Sequence, residues 1–184
     1  MPTVSTLYGD IDAELFAKFA NIKLFVCDVD GVFSDGTILL GNNGEELKAF
    51  NTKDGYGIKA LSRIGVDVAV ITGRESKIVH NRMTSLNVKY IMQGREDKLD
   101  ALNELISQHD YSVDQIASIG DDMPDLGMFA SSAIGIAVAD AHPMVKNTAS
   151  FCTQLKGGRG AVREVCDLIL EAKGELETIH GASV

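Results

Sequence analysis

The chain has 184 residues, enough for one domain with its own core. Lys plus Arg number 17 against 26 Asp plus Glu, a net charge of −9, which excludes the basic face that a nucleic-acid or anionic-membrane partner requires. Cys27, Cys152 and Cys166 have no short paired spacing and exclude a disulfide framework or a zinc site. Apolar runs such as Val66 to Thr72 are too short to cross a bilayer. Met1 to Asp10 shows no basic stretch followed by an apolar run, so no signal peptide is expected, and the expected setting is cytoplasmic.

In chain order, the first predicted strand is Lys23–Cys27. Thr37–Leu40 and Glu45–Phe50 follow, joined by Gly41-Asn42-Asn43-Gly44, a pattern that predicts a β-hairpin over about 36–50. A helix is predicted over Asp54–Arg63 with Asp54 at its start, then a strand over Asp67–Ile71. A helix at Ser76–Leu86 presents Val79, Met83 and Leu86 on one face. A strand at Lys89–Met92 precedes a helix at Asp97–His109 carrying Leu99, Leu102 and Ile106. Strands Ile116–Ile119 and Ala133–Val138 lead to a last helix, Ala161–Lys173, with Val162, Cys166 and Ile169.

Short, densely apolar strands alternating with amphipathic helices predict a parallel sheet covered on both faces. The expected fold is a single three-layer, Rossmann-like α/β domain over residues 1–184. The hairpin would act as a flap over the first strand's carboxyl end, where open α/β sheets bind ligands. No long insertion is present to form a large cap domain.

Chemistry-bearing residues gather at predicted strand ends. Asp28-Val29-Asp30-Gly31 puts two carboxylates two apart on extended chain, pointing the same way and in need of a compensating cation or proton. Thr72-Gly73-Arg74 offers a hydroxyl and free backbone N–H groups, an anion cradle. Lys98 begins a helix, the end at which the dipole disfavours a cation. Gly120-Asp121-Asp122-Met123-Pro124-Asp125 clusters three carboxylates after a strand, a set suited to a hard divalent cation. Singly, each also reads as an ordinary turn, cap or surface charge.

The ordered set Asp28/Asp30, Thr72, Lys98 and Gly120 to Asp125 resembles the haloacid dehalogenase superfamily of phosphohydrolases, over about residues 21–173. Longer stretches are similar to the branch of that superfamily acting on 3-deoxy-D-manno-octulosonate 8-phosphate. These are Asp28 to Gly36, Gly41 to Asn51, Lys53-Asp54-Gly55-Tyr56-Gly57, Ala139 to Pro143 and Gly157 to Glu164.

The resemblance implies an Mg²⁺-dependent phosphatase of lipopolysaccharide synthesis that works through an aspartyl-phosphate. In it Asp28 is the nucleophile and Asp30 the acid and base. Thr72 and Lys98 hold the phosphoryl group, and Asp28, Asp121 and the Asp30 main-chain carbonyl bind the metal. It places Asn51, Thr52, Lys53, Asp54, Gly55, Lys59, Gly73, Arg74, Arg82 and Arg159 in substrate binding, beside Asp30 and Lys98. It further implies a homotetramer in which a neighbour's tail, from about residue 156 onward, helps close the site. The glycines of Gly157-Gly158-Arg159-Gly160 suit a mobile segment.

Two other readings share these residues. One is a phosphatase of a nonulosonate 9-phosphate, with the same core and different basic flap residues. The other is a phosphorylated receiver domain, in which the acidic pair and the accepting Asp come from different strands and the Lys ends a strand. Cys27 is expected to point away from Asp28 as a small buried hydrophobe. His142 is expected to serve the turn before Pro143.

Overall fold

The computed structural model describes residues 1–178; residues 179–184, His180 among them, lie outside the described residues. The chain opens with an antiparallel hairpin, β1 (Thr3–Thr6) and β2 (Gly9–Asp12), and helix α1 (Ala13–Asn21). Strand β3 (Leu24–Cys27) leads to the flap strands β4 (Leu39–Leu40) and β5 (Glu46–Leu47). Then come α2 (Thr52–Arg63), β6 (Asp67–Ile71), α3 (Lys77–Ser85), β7 (Tyr90–Met92) and α4 (Lys98–Gln108). The remainder is β8 (Ile116–Gly120), α5 (Leu126–Ala130), β9 (Ile134–Ala137), α6 (Pro143–Thr148), β10 (Phe151–Cys152) and α7 (Ala161–Ala172).

Six strands form one sheet in the order β10-β9-β8-β3-β6-β7, and every pairing in it is parallel. Alternation along β3 divides the core. Leu24 and Val26 pack with Ala101, Leu102 and Leu105 of α4, while Phe25 and Cys27 join the larger cluster with α1, α2, α3 and α7. This is the three-layer arrangement, with the flap as a short two-stranded antiparallel hairpin. No helix among the described residues is long and apolar enough to cross a membrane.

Every predicted strand of the central sheet is present, within one or two residues at its ends, while the flap runs pair only over Leu39–Leu40 and Glu46–Leu47. The N-terminal hairpin, α1, α6 and β10 were not foreseen. Thr3–Thr6 and Gly9–Asp12 lack the apolar density of a buried strand, and β10 is two residues long. Helix α1 did leave a signal: Asp12 accepts from the Glu14 and Leu15 N–H groups, and Phe19 is fully buried.

The start of α2 needs a correction. Asn51 is the cap, accepting from the Lys53 N–H, and Asp54 lies inside the first turn. Asp54 is 1% exposed, and its Oδ1 accepts from the Arg163 N–H at 2.9 Å. It thereby caps the start of α7, whose own cap residue, Gly160, has no side chain to offer. Burial pushes the Asp54 carboxyl up to about 6, against the lowering effect of the Arg163 backbone hydrogen bond.

Helices α2 and α7 touch backbone to side chain: a Cβ on Gly57 would sit 2.8 Å from Cβ of Cys166 and 3.0 Å from its Sγ. We expect Gly57→Ala to destabilise the protein by about 1–3 kcal/mol through overpacking, offset in part by the better helix propensity of Ala. Urea unfolding with an unchanged slope would report the loss as a lower midpoint.

Candidate active site

Strand register decides which residues meet. Cys27 pairs with Val70 on one side and with Ile119 on the other, so the carboxyl ends of β3, β6 and β8 lie within one residue of each other. Asp28 continues the ladder, its N–H donating to the Ile119 carbonyl at 3.1 Å. The strands β6 and β8 each run one residue further than β3, so the first residues past the three strand ends, within one step of one another, are Asp28, Thr72 and Asp121. A cleft of about 570 Å³ opens there, lined by Asp28, Asp30, Thr72, Gly73, Arg74 and Lys98 on one side and by Asp121, Asp122 and Asp125 on the other.

Lys98 is no surface lysine. It is 5% exposed at the first position of α4, and its Nζ lies 2.6 Å from Asp28 Oδ1 and 2.6 Å from Asp125 Oδ1. Burial pushes its ammonium down, but Asp28 and Asp125 outweigh that and hold it above the ordinary lysine value. Asp125 is fully engaged: Oδ1 takes Lys98, and Oδ2 accepts the Asp121 and Asp122 N–H groups at 2.8 and 3.1 Å. In the sequence it is one member of an acidic run. The structure gives it the task of fixing both the lysine and the loop that carries Asp121. Asp122 caps the short 3₁₀ turn Met123–Asp125.

Asp28, Asp121 and Asp125 bring carboxylate oxygens within 4.8 Å of one another. Three carboxylates face one ammonium here. Burial first, and then Asp125, push Asp28 up to about 6, with Lys98 opposing. Burial, then Asp28 and Asp125, push Asp121 up to about 8. Such a cluster wants a positive charge with oxygen ligands, and Mg²⁺ fits that donor set. Asp28 and Asp121 are the members whose carboxylates line the cleft without the full set of donors that Asp125 has.

The loop after β3 is shaped for close approach. The Val29 carbonyl accepts from the Val32, Phe33 and Ser34 N–H groups, which coils the chain. Gly31 has φ 90°, and a Cβ there would lie 2.1 Å from Asp121 Oδ2. The segment 157–158 covers this loop from outside. The Gly158 N–H donates to the Val32 carbonyl at 2.8 Å, and a Cβ on Gly157 would lie 1.7 Å from the Gly31 carbonyl oxygen. Glycine at 157 is thus required for contact with the loop. His142 serves the turn as expected: its Nδ1 accepts the Met144 N–H, and its own N–H holds the Asp121 carbonyl at 2.7 Å. Cys27 is fully buried in the larger core cluster and does not line the cleft.

The flap lies over the cleft. Lys48 Nζ is 2.6 Å from Asp30 Oδ1, and Glu46 meets Lys48 at 3.4 Å and Arg74 at 3.5 Å. Neither Lys48 nor Glu46 was singled out in the sequence, because charges in a hairpin read as solvated. The remaining substrate-binding candidates do not line this cleft. Asn51 and Arg159 border a separate small hollow with Asp35 and Gly158, and Arg159 pairs with Asp35 at 3.5 Å. Thr52 and Lys53 are exposed in the first turn of α2, Gly55 is buried there, and Lys59 lies half-buried further along. Arg82, on α3, is half-buried; burial pushes its guanidinium down, against the attraction of Asp54.

Residues 89–164 match the haloacid dehalogenase-like hydrolase family. The 3-deoxy-D-manno-octulosonate 8-phosphate phosphatase of Yersinia pestis is 49% identical over 98% of this chain and 97% of its own length. The chain belongs to this phosphatase family. The crystal structure of the Yersinia pestis phosphatase matches it with TM-score 0.96 at 48% identity, covering 100% of this chain and 99% of that one. The family's Moraxella catarrhalis member, solved in complex with magnesium ion, phosphate ion and a KDO molecule, matches with TM-score 0.87 at 41% identity over 90% of this chain and 95% of its own. Membership of the octulosonate phosphatase family sets aside the receiver-domain reading.

A raised carboxyl pKa means that the folded protein retains a proton the unfolded chain has lost. That stabilising contribution is complete below about pH 4 and is lost as pH rises through about 6 for Asp28 and about 8 for Asp121. A divalent cation replaces the proton and removes the loss. The rise in Tm on adding Mg²⁺ to chelator-treated protein should therefore be larger at about pH 8.5 than at about pH 5. Calorimetry showing an equal or smaller rise at the higher pH would contradict this electrostatic account.

Proposed function

We infer that this chain hydrolyses 3-deoxy-D-manno-octulosonate 8-phosphate to the free sugar acid and inorganic phosphate, with Mg²⁺ as cofactor, in lipopolysaccharide synthesis. The observation that carries this reading is identity of 49% across 98% of the chain with a phosphatase of that substrate. The acidic cleft supports it. A phosphomonoester needs a nucleophile, an acid for the leaving oxygen and cations for the phosphoryl oxygens.

In the proposed division of labour, an Asp28 carboxylate oxygen attacks phosphorus and forms an aspartyl-phosphate as the bond to the sugar oxygen breaks. Asp30 gives its proton to that oxygen. It then takes a proton from the water that attacks the intermediate, which releases phosphate and restores Asp28. Lys98, 2.6 Å from Asp28, is placed to follow the charge onto the phosphoryl oxygens. Thr72 and the N–H groups around Gly73 are the proposed hydrogen-bond donors to the same oxygens. Asp28, Asp121 and the Asp30 carbonyl would hold Mg²⁺, which supplies neutralisation of the repulsion between nucleophile and phosphate dianion.

Arg74, in the cleft, is the proposed partner of the sugar carboxylate. We further propose that residues 1–184 act as a single cytoplasmic phosphatase domain and assemble as a homotetramer. Leu39, Leu40 and Leu47 of the flap are 60, 69 and 61% exposed, an apolar surface that a second copy would cover. In that assembly Asn51, Thr52, Lys53, Lys59, Arg82 and Arg159, which lie away from the chain's own cleft, would complete the substrate site from a neighbour, whereas Asp54 and Gly55 are buried and Asp54 instead caps α7.

Phosphate release from a panel of sugar phosphates, with Mg²⁺ or a chelator, tests the substrate. The octulosonate 8-phosphate should be preferred, and the chelator should abolish turnover. Preference for a nonulosonate 9-phosphate would overturn the assignment. Asp28→Asn should lower turnover at least ~10⁴-fold and leave no acid-stable trapped phosphate on the protein. Leu47→Asp should shift the sedimentation coefficient toward a smaller species and lower activity with it; an unchanged assembly would count against the flap as an interface.

A further inference from the structure

The flap inverts the alternation expected of a half-buried strand. Leu39 and Leu47, opposite each other in the register, turn outward and are 60 and 61% exposed, while the charged Glu46 and Lys48 turn inward. Lys48 is the extreme case: none of its side chain is exposed. Burying an ammonium is costly unless it is paired with good geometry. Its Nζ has two carboxylate partners, Asp30 at 2.6 Å and Glu46 at 3.4 Å. Glu46 is in turn fixed from the core side. Its Oε2 accepts the hydroxyl of buried Ser76, the cap residue of α3, at 2.9 Å, and its Oε1 faces Arg74 at 3.5 Å. A chain of contacts thus runs from the start of α3 through Glu46 and Lys48 to the Asp30 carboxyl.

We propose that Lys48 is a positioning residue for Asp30: the flap delivers a buried ammonium that fixes the Asp30 carboxyl in the cleft for proton transfer at the leaving oxygen, and Glu46 holds Lys48 in place. The inference rests on the phosphatase reading above. Asp30 sits in a loop whose backbone is shaped by Gly31 and covered by Gly157, but its side chain is only partly buried and needs a lateral contact to define one rotamer. Lys48 supplies that contact through Oδ1. The flap then does more than exclude water. When it is displaced, Asp30 loses its restraint, so proton transfer is tied to closure.

The leaving group separates this role from others. A sugar alkoxide must be protonated as it departs, whereas p-nitrophenolate leaves without a proton. We expect Lys48→Met to lower kcat on octulosonate 8-phosphate by about 30-fold or more, and the loss on p-nitrophenyl phosphate to be at least ~10-fold smaller. KM for both should move less than about threefold. Lys48→Arg should recover most of the sugar-phosphate rate, and Glu46→Gln should show a weaker loss with the same substrate bias. Equal losses on the two substrates, or a change confined to KM, would overturn the proposal in favour of a structural or binding role. If Lys48→Met does not fold by circular dichroism, the same comparison on Lys48→Gln and Glu46→Gln decides. A wild-type enzyme active on p-nitrophenyl phosphate but not on octulosonate 8-phosphate overturns the substrate assignment instead, and the Lys48 comparison is then made on the alkyl phosphate that the panel identifies.

Discussion

The Lys98 ammonium, held at 2.6 Å by Asp28 and by Asp125, is the interaction on which the site depends. It joins three elements: the end of β3, the start of α4 and the loop after β8. Removing one partner of so buried a group leaves an uncompensated charge, which typically costs about 3–5 kcal/mol. The helix dipole opposes a cation at this position, so the two carboxylates carry the whole compensation. In return the lysine brings Asp28 and the Asp121 loop to one place.

The backbone does as much as the side chains. Parallel register brings three strand ends to within one residue of each other, and that puts Asp28, Thr72 and Asp121 on one rim. Glycine then allows contacts that any side chain would block: Gly31 lies against Asp121, and Gly157 against the Gly31 carbonyl. Segment 157–158, the Asp30 loop and the Asp121 loop form consecutive layers. Asp54 and Glu164 anchor the outer layer, Asp54 through the Arg163 N–H and Glu164 through the Gln154 and Leu155 N–H groups.

A protein of net charge −9 that takes an anionic substrate has to separate its global and local fields. Here the cations at the cleft, Lys98, Lys48 and Arg74, are all matched by carboxylates of the chain itself. In the proposed mechanism an incoming phosphate or sugar carboxylate would meet Lys98 and Arg74 already positioned and would compete with their carboxylate partners. The surplus of carboxylates around Asp28 and Asp121 is what makes the same cleft a site for a divalent cation.

The order of Asp28, Asp30, Thr72, Lys98 and Asp121 at the ends of apolar runs was legible in the sequence, because parallel strands buried on both faces are written as dense Val, Ile and Ala, and turns as Gly and Asp. The alternation of those runs with amphipathic helices carries the fold class, the Gly41-Asn42-Asn43-Gly44 turn carries the flap, and the order of the polar residues carries the acidic rim. Which carboxylate does what was decided only by the tertiary structure. Asp125 looked like one more member of an acidic run until Lys98 was found buried against it. Asp54 looks in the sequence like a cap for its own helix and instead caps α7, through a bond to Arg163 that lies 109 residues on. Lys48 lies in a stretch that carries the family resemblance but shows no role of its own there, since a hairpin charge reads as solvated unless one knows which way the hairpin faces. Local pattern fixes a residue's strand, helix or turn; its partners, and so its charge state and task, depend on contacts that only the folded chain creates.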